Sequence, residues 1–145
     1  MLFNKKLLSA SDEARLITAI KGAEFKTSGE IRVHIEKSIV GDDVIDAAHK
    51  MFDKLNMHHT KDRNGILFYL AIKSKKFAVW GDEGIHQKVN DEFWNSISAC
   101  AISYFKQNDI ITGLEKSIEL CGEQLKHHFP IEVDDTNELS NEISY

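Results

Sequence analysis

The segment Ile66-Leu67-Phe68-Tyr69-Leu70-Ala71-Ile72 is apolar without a break and rich in strand formers. Successive side chains of a strand point to opposite faces, so a strand with one wet face alternates apolar and polar residues. An unbroken run instead marks a central strand covered on both sides, and its sheet needs a layer of structure on each face. The turn-like Asp62-Arg63-Asn64-Gly65 introduces the run. Lys73-Ser74-Lys75-Lys76 follows as a short polar turn, and Phe77-Ala78-Val79-Trp80 is the second strand of a hairpin, closed by Gly81-Asp82-Glu83-Gly84.

The covering layers are legible as helices. Residues 9–27 carry Leu16, Ile17, Ile20 and Ala23 at helical spacing. Ser9 or Ser11 can accept an orphan backbone N–H at the start, and Asp12 and Glu13 sit where the helix dipole favours negative charge. Ser28-Gly29 stops this helix. Ile31, Val33 and Ile35 then alternate with Glu30, Arg32, His34 and Glu36, which reads as a strand with one wet face. Gly41-Asp42-Asp43 opens a second helix with Val44, Ile45, Ala48, Met51, Phe52 and Leu55 on its apolar side. A third helical stretch bears Phe93, Trp94, Ile97, Ala101, Tyr104 and Phe105. A fourth bears Ile111, Leu114, Ile118, Cys121 and Leu125 and ends before Pro130. Helices on either side of a small mixed β-sheet make an α/β sandwich, expected as one domain over residues 1–130.

Charge separates the remainder. Residues 131–145 hold Glu132, Asp134, Asp135, Glu138 and Glu142 and no Lys or Arg. Without these five, 18 acidic residues face 18 basic ones, so the net charge of -5 comes from the tail. A balanced domain has no overall field to gather nucleic acid, and no nucleic-acid partner is expected. The tail's scattered apolar residues offer little against roughly 1–2 kcal/mol of backbone ordering entropy per residue, so an acidic, disordered tail is expected. No stretch approaches the roughly 20 apolar residues that span a bilayer, so no membrane insertion is expected. Cys100 and Cys121 are far apart in helical segments and read as two buried thiols. A cytoplasmic monomer is expected.

Acidic residues gather at turns that flank strands: Glu24 and Glu30 at one strand's entrance, Asp62 before the central strand, Asp82 and Glu83 after the hairpin, then Asp91 and Glu92. Antiparallel pairing of the hairpin brings Asp62 near Asp82 and Glu83. Hard cations such as Ca²⁺ or Mg²⁺ take oxygen ligands of this kind. His86 is the histidine beside that cluster, and Arg63 and Lys61 are the nearby phosphate clamps. EF-hand, zinc, P-loop, dinucleotide and G-x-S-x-G patterns are all absent.

Thr27-Ser28-Gly29-Glu30-Ile31-Arg32-Val33, Arg63-Asn64-Gly65-Ile66-Leu67-Phe68-Tyr69, Gly81-Asp82-Glu83-Gly84-Ile85 and Leu125-Lys126-His127-His128-Phe129-Pro130 together resemble the TPM-domain family over residues 9–130. The resemblance implies a Rossmann-like α/β/α sandwich with a metal-binding acidic groove at one end of the sheet. It places that site at Asp62, Asp82 and Glu83, with Glu30 and Asp91 as further candidates. Some plant members are acid phosphatases of photosystem repair, and others are non-catalytic accessory proteins. Where photosynthetic members carry a G-x-G-L-E-G type turn, this chain has Gly81-Asp82-Glu83-Gly84, closer to a compact cytosolic bacterial branch. The function expected from this is a non-catalytic, Ca²⁺- or Mg²⁺-binding regulatory or interaction module with a protein partner. The alternative is a metal-dependent acid phosphatase acting on phosphomonoesters, with His86 as general acid or base.

Overall fold

β2 (Gly65–Ala71) is buried along its whole length at the centre of a three-stranded sheet. The structure, a computed structural model, describes residues 7–132 and 137–145. β1 (Glu30–Glu36) pairs with β2 in parallel, Glu30 beside Gly65 and Glu36 beside Ala71. β3 (Lys76–Gly81) pairs with it antiparallel, Ala71 beside Lys76 and Ile66 beside Gly81. Parallel neighbours need a crossover, and α2 (Val44–Lys54) supplies it.

The unbroken apolar run has the cause expected from the sequence. Ile66, Phe68 and Leu70 enter a main core with Ile31, Val33 and Ile35 and with α1 (Ala10–Glu24), α4 (Asp91–Phe105) and α5 (Ile110–His128). Leu67, Tyr69 and Ala71 enter a second core with Ala48 and Phe52 of α2 and with Met57. Each fully buried Leu, Ile or Phe contributes about 1.5–3 kcal/mol. The sheet therefore carries helices on both faces, a Rossmann-like α/β/α sandwich. Ser9 caps α1 by accepting the Asp12 N–H at 3.0 Å. Asn90 and Asp109 do the same for α4 and α5. Among the described residues no helix is long and apolar enough to cross a membrane.

Three expectations need correction. First, the turn after β3 contains a short helix, α3 (Glu83–His86), capped by Asp82. Second, the polar side of β1 is only partly wet: Glu30 is 4% exposed and His34 2%, while Arg32 and Glu36 are half-buried. Third, residues 137–145 depart from the expected disorder and cover that strand, while 133–136 lie outside the described residues. The Ile35 N–H donates to Ser144 O at 2.9 Å, and the Ser144 N–H donates to Val33 O at 3.0 Å. Ile143 is buried in the main core and Leu139 packs on the second. Glu30 Oε1 accepts the N–H groups of Glu138 and Leu139 at 2.9 and 2.8 Å. The apolar residues here are few, but two of them find ready-made seats and a buried carboxylate takes their backbone donors. Of the two thiols, Cys121 is buried and Cys100 is partly exposed.

The covered face holds a polar chain. His34 Nδ1 lies 2.8 Å from Ser144 Oγ, and its Nε2 lies 2.9 Å from Glu36 Oε1. Tyr69 donates to the other Glu36 oxygen at 2.6 Å. Burial holds the His34 pKa below its ordinary 6.5, against the pull of the Glu36 hydrogen bond. Burial alone would raise Glu36, but hydrogen bonds from Tyr69 and His34 outweigh it and hold Glu36 below its ordinary 4.5. Both folded groups thus bind protons less readily than the unfolded chain. The stability they contribute is complete above the unfolded values and is lost as pH falls. The urea midpoint is expected to fall as pH drops below about 6.5, and again below about 4.5. In His34→Gln the first of these declines should shrink; an unchanged pH profile would contradict this account.

Candidate functional site

The register that sets Ile66 beside Gly81 also brings the loop before β2 against the turn after β3. Two backbone bonds close this corner: Asp82 N–H to Gly65 O and Gly84 N–H to Arg63 O, both 2.9 Å. The approach is close enough to require glycine at 84. A Cβ there would stand 2.6 Å from Arg63 O and closer still to Asp62 O. Arg63 itself adopts a left-handed backbone with φ of +51°, a conformation costing a non-glycine residue of order 1 kcal/mol. Asn64, 1% exposed, anchors the loop: its N–H reaches Thr60 Oγ1 and its side-chain amide reaches Ser28 O, both at 3.2 Å.

Asp82 is 6% exposed, and a charge so far from water needs a partner. Arg63 supplies a two-pronged one, with Nε 2.7 Å from Asp82 Oδ2 and Nη2 2.9 Å from Oδ1. Asp82 Oδ1 also accepts the Glu83 N–H at 2.8 Å. The remaining prong, Nη1, lies 3.1 Å from Glu83 Oε1. The Asp82 hydrogen bond, with the charges of Asp82 and Glu83, raises the Arg63 pKa above its ordinary value. The side chains of Arg63 and Glu83 are 42% and 62% exposed, so the guanidinium spans from a buried carboxylate to solvent.

This corner forms one wall of a cleft of about 420 Å³ that also includes His49, His58, Trp80 and His86. The His49 ring stacks on Trp80 at 4.3 Å. His86 lies between Trp80 and Trp94, 6.4 and 5.0 Å from their ring centres. His58 Nδ1 is buried without a hydrogen-bond partner among the described residues.

The residues expected to form the site separate into two groups. Asp82 and Glu83 converge on Arg63. Asp62 brings its backbone against Gly84 and leaves its side chain exposed, while His86 ends α3 in the same cleft. Glu30 is committed to the backbone of residues 138 and 139, and Asp91 is exposed in the first turn of α4. Among the described residues no group of three or more His, Cys, Asp or Glu side chains is placed to hold a metal ion. With Arg63 in position the corner therefore does not fit a metal. A cation would have to take the guanidinium's place.

Arg63 was legible as a basic residue at the site but not as the partner of Asp82. The hairpin register could have revealed it, because that register sets the start of β2 against the end of β3. His49, His58 and Trp80 gave no such signal, since their meeting depends on how α2 packs against β3.

The TPM domain family matches residues 2–124. The chain superposes on the NMR structure of the BA42 protein from the psychrophilic bacterium Bizionia argentinensis with a TM-score of 0.90. The two are 41% identical, and the match covers 99% of each chain. The N-terminal domain of the cg2496 protein from Corynebacterium glutamicum shares the fold at a TM-score of 0.66 and 17% identity, over 82% of this chain and 74% of that one. The N-terminal domain of a P. gingivalis protein does so at 0.68 and 18%, over 85% and 79%. No curated protein sequence matches. The family match and the full-length likeness to BA42 agree with the geometry: this chain belongs to the TPM-domain family.

Proposed function

We propose that this protein is a non-catalytic binding module whose Asp62, Asp82 and Glu83 corner exchanges its internal Arg63 for a Ca²⁺ or Mg²⁺ ion. The observation that carries this reading is the convergence of two carboxylates, one buried and one exposed, on a single cationic group that can leave toward water. Once the guanidinium swings out, Asp82 offers two oxygens and Glu83 a further carboxylate, with Asp62 beside Arg63 in the loop that packs against Gly84. Hard cations favour all-oxygen surroundings of this kind. Arg63 then acts as a built-in competitor. If it is displaced in about one molecule in a hundred, the apparent affinity is weakened about a hundredfold. Exchange would also reshape the 60–65 and 81–87 segments, which is how a bound ion could alter the surface offered to a protein partner.

Hydrolysis of phosphomonoesters draws less support. Arg63, the expected phosphate clamp, is engaged by Asp82, and Lys61 Nζ lies 3.5 Å from Glu132. Pure protein with Mg²⁺ is expected not to turn over p-nitrophenyl phosphate; turnover lost in Asp82→Asn would establish the alternative. Amide NMR during Ca²⁺ and Mg²⁺ titration tests the proposal itself. Shifts are expected at residues 61–65 and 81–92, including the Arg63 side-chain Nε–H. Shifts confined to residues 137–145, or none at millimolar ion, would reject it.

A further inference from the structure

An edge strand presents unpaired N–H and C=O groups, and proteins cover or blunt such edges. At the outer edge of β1 the cover is the chain's own residues 137–145. Its attachment has the form in which extended peptides are held at sheet edges, where main-chain bonds bind and alternate side chains enter seats. Ser144 makes an isolated parallel bridge to His34. Its backbone exchanges bonds with Val33 and Ile35, and its hydroxyl meets His34 Nδ1. Ile143 fills a seat in the main core at 7% exposure. Upstream, Glu30 grips two consecutive backbone N–H groups, which almost any sequence offers.

Charge adds a further preference. Arg32 on the same strand has a buried Nε with no hydrogen-bond partner among the described residues, and the charge of Glu142 acts on its guanidinium. The edge is therefore matched, in order, to an acidic residue, an aliphatic one and a hydroxyl.

Glu138 also accepts the Lys61 N–H, and the Tyr145 hydroxyl donates to Glu13, but the strand pairing itself is slight compared with what it covers. β1 and β2 share a continuous ladder along their whole length, whereas residues 137–145 contribute one isolated bridge. Between the two apolar seats, Ser140 and Glu142 are exposed. The helices α1, α4 and α5 and the strands also pack on one another directly, without this segment between them. Segments with little buried apolar area and no continuous ladder open without global unfolding.

We propose that residues 137–145 are a displaceable strap resting on a peptide-docking edge. In its place the edge accepts an extended partner segment carrying an acidic, an aliphatic and a Ser or Thr residue in succession. The strap is the resting occupant, and its release uncovers Val33, Ile35, Glu30 and the Ile143 seat together. This inference stands apart from the Arg63 corner.

Two measurements on the full-length chain test it. In native-state hydrogen exchange, the Ser144 and Ile35 amides are expected to exchange at least about tenfold faster than those of Leu67, Phe68 and Tyr69. In the full-length Ile143→Asn chain, whose strap is weakened, a fluorescein-labelled peptide of residues 137–145 should bind by anisotropy. It should bind the wild-type chain at least about tenfold more weakly, because the tethered strap competes at high effective concentration. The proposal is overturned if the strap amides exchange only through global unfolding. It is equally overturned if the peptide fails to bind a folded Ile143→Asn chain, or if that chain cannot fold, since the strap is then an integral part of the core.

Discussion

Gly84→Ala is expected to lower stability by about 3 kcal/mol, a large loss for a one-carbon change on a chain of this size. The position needs glycine because of close approach. The new Cβ would fall 2.6 Å from Arg63 O, nearer still to Asp62 O, and 3.0 Å from Arg63 C. These are backbone atoms, and no side-chain rotation can move them aside. Relief requires α3 to move away from the loop before β2, which breaks the Gly84 N–H to Arg63 O bond and pulls Asp82 from the guanidinium. Gly22 is the matching control. It lies on the exposed side of α1, and a Cβ there meets nothing within 4 Å. Gly22→Ala should stabilise by about 0.5–1 kcal/mol, the ordinary gain from replacing glycine inside a helix. Urea unfolding of both variants decides the matter. Equal effects would mean that the corner is loosely packed.

Much of the fold was legible because single segments carried it. The unbroken run through Ile66 to Leu70 demanded two covering layers, and Leu16 and Ile20 or Leu114 and Ile118 had the spacing of helices that could provide them. What escaped depends on residues distant in sequence. His34 and Glu30 alternate with apolar neighbours as wet-face residues do, yet both are buried, and residues 137–145 return to bond with each of them. That return was hidden because Leu139 and Ile143 are isolated in an acidic stretch, and isolated apolar residues carry no periodicity. At the candidate site the carboxylates Asp82 and Glu83 were legible from hairpin geometry. Their neutralisation by Arg63 was not, because it rests on a left-handed backbone at that residue and on side-chain direction.

The exchange of Arg63 for a cation carries the second large effect. In Arg63→Gln, Asp82 keeps its buried position and loses its two-pronged partner, so the metal-free chain should unfold at lower urea than wild type. An ion that binds only the folded state restores stability by RT ln(1 + [L]/Kd), about 2.7 kcal/mol at a hundredfold excess over Kd. The variant should therefore gain more from Ca²⁺ than the wild type does, since it no longer has to displace its own guanidinium. Asp82→Asn keeps the shape of the side chain while removing the charge, and should gain nothing.

The most direct measurement is calorimetric titration of Ca²⁺ into wild type, Arg63→Gln and Asp82→Asn, each confirmed as folded by its amide spectrum. Binding to Arg63→Gln at least about tenfold tighter than to wild type, with none to Asp82→Asn, is the predicted result. Equal or weaker binding to a folded Arg63→Gln, or wild-type binding to Asp82→Asn, would contradict it.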